Sequence, residues 1–81
     1  MGEVNSLNAN QARIVSEANR IKLIEAQLVM INAMIRTYSN KGEFNVSIPE
    51  VYKENLIALK ERGYKIHTYI ENKDIMTQIS W

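Results

Sequence analysis

Leu28-Val29-Met30-Ile31-Asn32-Ala33-Met34-Ile35 decides the architecture of this chain of 81 residues. Seven of the eight side chains are apolar, and neither glycine nor proline occurs between Asn8 and Asn40. A segment of that kind continues as helix. Ile24, Leu28, Ile31, Ile35 and Tyr38 fall on one stripe of it, Leu23, Met30 and Met34 on a second, and Ala26, Val29 and Ala33 on a third. A helix that is apolar all round has to be covered all round. The residues after Asn40 can cover one side, so the other calls for a second copy of the chain. The expected contact between copies is Leu28, Met30, Ile31, Asn32, Met34 and Ile35. Asn32 is open to two readings. Buried in such a contact, it would fix register and copy number; otherwise it sits in an exposed gap of the stripe.

Outward from this stretch, start and stop signals set the limits of the helix at about 8–40. Asn8 is a good N-cap with Gln11 at the third helical position, the pattern of a capping box, and Leu7 and Ala12 can bracket it as a hydrophobic staple. Asn40-Lys41-Gly42 supplies the stop. Such a helix is ~45 Å long at ~1.5 Å per residue. A compact chain of this size has a radius of gyration of only ~12 Å, so the helix projects beyond its own domain.

Glu43 to Ile48 alternates, with Phe44, Val46 and Ile48 on one face, and predicts a half-buried strand over 43–48. Ser47-Ile48-Pro49-Glu50 has the form of a second capping box, which predicts a helix over 48–62 with Val51, Tyr52, Leu56 and Leu59 inward. Gly63 ends it, with Tyr64 placed to pack back on Leu59. Alternation from Tyr64 to Ile70 and from Ile75 to Trp81, around the polar turn Glu71-Asn72-Lys73-Asp74, predicts a β-hairpin over 64–81. The expected fold is α+β: one domain, 1–81, with a long N-terminal helix, then β-α-β-β, and a three-stranded sheet with both helices on one face.

Composition narrows the function classes. A small domain buries a limited share of its surface and usually needs disulfides, a metal or oligomerisation. The chain has no cysteine and one histidine, His67, which leaves no thiolate site and no imidazole-built metal site. Oligomerisation is the remedy left, and no cofactor is expected. The net charge of +1 gives little steering toward nucleic acid. Basic residues on the helices alternate with Glu17, Glu25, Glu54 and Glu61, the pattern of a solvated face, so nucleic acid is not the expected partner. Met1–Asn10 lacks the basic and apolar regions of a secretory signal, and no apolar run reaches the ~18 residues of a membrane span. A cytosolic setting with no membrane partner is expected.

Catalytic chemistry finds little to use. His67 could pair with Asp74 across the hairpin turn, but no nucleophile elbow accompanies them, and the three glycines are isolated, so no phosphate-cradling loop exists. The expected catalytic set is empty, and the protein is expected not to be an enzyme. For recognition, Arg20 and Arg36 offer planar cationic forks for phosphate, and Tyr69 and Trp81 offer surfaces for stacking. The alternative for each is a structural role, as it is for Tyr38.

Short motifs run through most of the chain: Asn8-Ala9-Asn10-Gln11-Ala12-Arg13, Ser16-Glu17-Ala18-Asn19, Gly42-Glu43-Phe44, Leu59-Lys60-Glu61-Arg62-Gly63-Tyr64-Lys65-Ile66 and the closing Ile79-Ser80-Trp81. Together they resemble small early-gene proteins of tailed phages that infect Gram-positive hosts. That resemblance implies host takeover or counter-defence in the cytoplasm of an infected bacterium, by occupying a host enzyme, a defence protein or a signalling nucleotide. It carries over no catalytic residue. The expected function is therefore a non-enzymatic, homo-oligomeric binding protein. An oligomeric sponge for a nucleotide immune signal, cyclic or otherwise, leads. An inhibitor docked on a host or defence enzyme follows, and a DNA-binding accessory protein comes third.

Overall fold

The computed structural model describes residues 7–81. The expectations for the signal-free N-terminus and for a single domain from residue 1 extend to residues 1–6, which lie outside those described. The elements are α1 (Ala9–Asn40), β1 (Asn45–Pro49), α2 (Lys53–Glu61), β2 (Lys65–Glu71) and β3 (Asp74–Ser80). The class is α+β, as the alternation and helix signals predict.

Both ends of α1 are fixed by local chemistry. Asn8 Oδ1 accepts from the Gln11 amide at 2.8 Å, and Gln11 Oε1 accepts from the Asn8 amide at 3.0 Å, which completes the capping box. Leu7 remains exposed. At the other end Gly42, at φ 81°, turns the chain. The Glu43 amide donates to the Tyr38 carbonyl and the Gly42 amide to that of Ser39, a Schellman closure. α2 ends in the same way, with Gly63 at φ 92° and the Tyr64 amide on the Leu59 carbonyl.

The sheet order is β1-β3-β2, with both pairs antiparallel. Register places Val46, Ile79 and Ile66 in one row of the inner face and Ile48, Thr77 and Thr68 in the next. Asn72 and Lys73, both at positive φ, make the tight turn whose backbone twist matches the flanking strands. Both helices lie on the inner face. Ile31 and Ile35 of α1 and Leu59 of α2 close the core on Val46, Ile48 and Ile79, with Leu28, Met34, Tyr38, Tyr64, Ile66 and Trp81 packed around them.

The start of α2 corrects the sequence reading. No capping box forms at Ser47–Glu50, and the helix begins at Lys53 rather than 48. Pro49 pairs with Met76 as the last residue of β1. Glu50 sits at φ 51°, a left-handed conformation that cannot open a helix, and its amide donates to the Ile75 carbonyl. The ladder therefore takes the residues that the cap would have used. Phe44 is the second correction: it precedes β1 and is 68% exposed.

α2 is tied to α1 by a buried polar latch. Asn55 is 2% exposed, and its Nδ2 donates to the Ile24 carbonyl and to Gln27 Oε1, both at 2.9 Å. Gln27 Oε1 also accepts from the Tyr52 amide, and Gln27 Nε2 donates to the Glu50 carbonyl. The Tyr52 amide, at an N-cap without a side-chain cap, thus finds its acceptor on another element. Among the described residues no buried side-chain polar atom lacks a partner.

Cover runs out in two directions. Every residue from Ala9 to Leu23 is exposed, so the first half of α1 overhangs the sheet. The molecule extends 59 × 26 × 21 Å with a radius of gyration of 17.0 Å, well above the compact value of ~12 Å. On the inner face of the sheet, Thr77 is 2% exposed but Ile75 is 59% and Ile70 is 76% exposed at the hairpin end.

Candidate functional site

α1 carries a long exposed surface turned away from the core. Leu23, Ala26, Met30 and Ala33 recur at three- and four-residue spacing on a side of the helix turned away from the core. Ala12, Val15, Asn19 and Thr37 continue that stripe, and all eight residues are exposed. Not one is charged, so the stripe runs ~37 Å along the helix, at ~1.5 Å per residue, without an ionic group. Lys22, Glu25 and Arg36 lie to one side of it. From Leu23 to Thr37 the steps alternate between three and four, the pattern of a coiled-coil seam, and alanines on it allow close approach of a second helix.

The six residues expected at a contact between copies divide. Ile31 and Ile35, at 0% and 8% exposure, are core residues of the single chain, and Leu28 and Met34 pack against that core. Met30 remains, 44% exposed. Asn32 is exposed on the opposite flank from Met30, so in the single chain it occupies the exposed gap and not a buried position. The apolar stretch is all-round, as read from the sequence; the sheet takes one side of it, and that side includes most of the residues first assigned to the partner.

The four residues expected to hold a ligand do not share a pocket within one chain. Arg20 Nη1 forms an ion pair with Glu54 Oε2 at 2.8 Å, the sole ion pair among the described residues. Glu54 stands in the first turn of α2. Its carboxyl is held below the usual range first by a bond from its own backbone amide and then by the Arg20 guanidinium. Both groups are about half exposed, so the pair is readily exchanged for water or for another anion. Arg36 is exposed on the flank of α1 beside the stripe. Trp81 packs edge-on against Tyr64 at 6.3 Å and belongs to the rim of the core. Tyr69 lies on the other face of the sheet.

On that outer face the sequence singles out Tyr69 alone as a stacking surface. Register brings Ser47, Gln78 and His67 into one row and Pro49, Met76 and Tyr69 into the next. The Tyr69 hydroxyl donates to Ser47 Oγ at 3.1 Å across the central strand, and the Tyr69 and His67 rings lie 6.2 Å apart and nearly parallel, at 18°. Period-two alternation would have found the rows once the strand order was known; sequence alone does not give that order.

His67 and Asp74 are not brought together. His67 is opposite Gln78 and Asp74 opposite Glu71, four positions further along the ladder, or ~13 Å at ~3.3 Å per residue. Among the described residues no group of three or more His, Asp or Glu side chains could hold a metal ion, and no helix is long and apolar enough to cross a membrane. No family model matches the chain, and no curated protein or solved structure matches it either.

Proposed function

We propose that this chain is a non-catalytic binding protein whose copies join through the uncharged outer stripe of α1. The observation that carries this reading is the stripe itself: Leu23, Ala26, Met30 and Ala33, exposed, apolar and at coiled-coil spacing, on a helix whose first half overhangs its own domain. Isolated surface hydrophobics are ordinary, but a continuous apolar strip is the mark of a contact surface. In keeping with the phage proteins that its motifs resemble, the protein acts by occupancy in host takeover or counter-defence. A nucleotide immune signal is the leading ligand. Pairing of two helices would double each exposed arginine and sheet face, which suits a sponge better than an enzyme.

Light scattering at micromolar concentration tests the assembly, and a thermal-shift series with cyclic and linear nucleotides on the same sample tests the ligand class. A mass that is a multiple of 9.4 kDa, with stabilisation by at least one nucleotide, is expected. A monomer that no nucleotide stabilises would leave the inhibitor reading in its place.

A further inference from the structure

We propose that the outer face of the sheet, centred on Tyr69 and His67, is a stacking platform for a base that carries phosphate, with the phosphate directed toward Lys65. This rests on the binding-protein reading above and places its ligand on a surface other than α1.

Three observations meet there. The rings of His67 and Tyr69 are two residues apart on β2, nearly parallel and 6.2 Å between centroids. At that separation they are offset rather than overlaid, so each retains ring surface for a third planar group, and every base has a π-face to offer. The Tyr69 hydroxyl is held by Ser47 Oγ. A ring already fixed has less conformational freedom to lose when a ligand settles on it. Finally, the flanking charges are ordered along the strands. On this face Lys65 lies at one end, in the row of Asn45 and Ser80, while Glu71 and Asp74 lie opposite each other at the hairpin end. An anionic ligand stacked on the aromatic pair is drawn toward Lys65 and away from the Glu71 and Asp74 carboxylates. Gln78, between Ser47 and His67, supplies an amide able both to donate to and to accept from a base edge.

The ligand chemistry, a stacked base with a nearby phosphate, is common to a free nucleotide and to a single strand of nucleic acid. Proton–nitrogen correlation spectra of the whole protein, titrated with cyclic AMP, cyclic di-GMP and an oligothymidylate, separate the two sources, and inorganic phosphate is the control. Shifts concentrated on Lys65, His67, Tyr69 and Gln78 are expected. A response to the cyclic species alone assigns a free nucleotide, and one to the oligothymidylate alone assigns a single strand. Tyr69→Ala should weaken binding roughly 5- to 150-fold, the loss of one stacked base, while Tyr69→Phe keeps most of it. Lys65→Gln, which leaves the aromatic pair intact, should weaken binding and flatten its salt dependence. The proposal falls if none of the nucleotide probes shifts these residues, if phosphate alone reproduces the shifts, or if they map to Arg20 and Arg36. Mass measured on the same samples keeps the two readings apart. An assembled protein with a silent sheet face loses the platform only; a monomer whose sheet face responds loses the assembly only.

Discussion

Gly63 has the simplest residue-level test. It turns the chain at φ 92°, and a Cβ added there would meet no atom within 4 Å. The cost of Gly63→Ala is therefore conformational, and a loss of ~1–2 kcal/mol is expected in urea unfolding. Asn55 is the harder residue. Its neighbours Leu56 and Leu59 are legible as inward by spacing, whereas nothing in the spacing marks Asn55, because its partners Ile24 and Gln27 belong to another element. Asn55→Ala removes both bonds from a buried site and should cost ~1–3 kcal/mol, whereas Asn32→Ala on the exposed flank should stay within ~0.5 kcal/mol. Glu54 contributes through pH. Its folded pKa is depressed, so its share of stability is present at neutral pH and is lost as pH falls from the ordinary glutamate value, about 4.3, through the lower folded value. In Arg20→Ala, acid unfolding should become shallower in that window, because one of the causes of the depression is gone.

Elements differ in how openly the sequence declares them. α1 was legible at both ends because its signals are local: Asn8 with Gln11 at the start, Gly42 at the stop. The hairpin was legible for the same reason, since period-two alternation and a polar turn need no partner to be recognised. The region from Ser47 to Tyr52 was not, because two local signals compete there. A capping-box pattern overlaps the end of a strand, and β3 decides the contest by taking Pro49 and the Glu50 amide into the ladder. Tertiary pairing there overrides the helix signal. The outer stripe of α1 lies between these cases. Its central residues, Leu23, Ala26, Met30 and Ala33, were named from the sequence but on two separate faces, Val15 and Thr37 were not named, and Ile31 and Ile35 could not be separated from Met30 until the sheet had chosen its side. Because the stripe carries no charge, assembly through it should be insensitive to sodium chloride and strengthened by sulfate, as followed by sedimentation across a salt series. Dissociation on adding moderate salt would place the contact on a charged flank instead.

For the whole molecule, the balance between core and overhang is decisive. Among the described residues six buried aliphatic side chains make a small core, and a helix whose first half touches little of its own domain adds surface without burial. In the proposed assembly a second copy would supply what the chain lacks, in the region where the apolar stripe is uncovered. Sedimentation equilibrium at micromolar concentration, on the wild type beside Met30→Glu and Asn32→Glu, tests this most directly. Both substitutions place one carboxylate on the same stretch of the same helix, and both sites are exposed in the single chain, so circular dichroism should show each variant folded. The expected result is a wild type and an Asn32→Glu variant at the same multiple of 9.4 kDa, with Met30→Glu reduced to the monomer by the unpaired charge that assembly would bury. A monomeric wild type, or a Met30→Glu variant that still assembles as the wild type does, would contradict it.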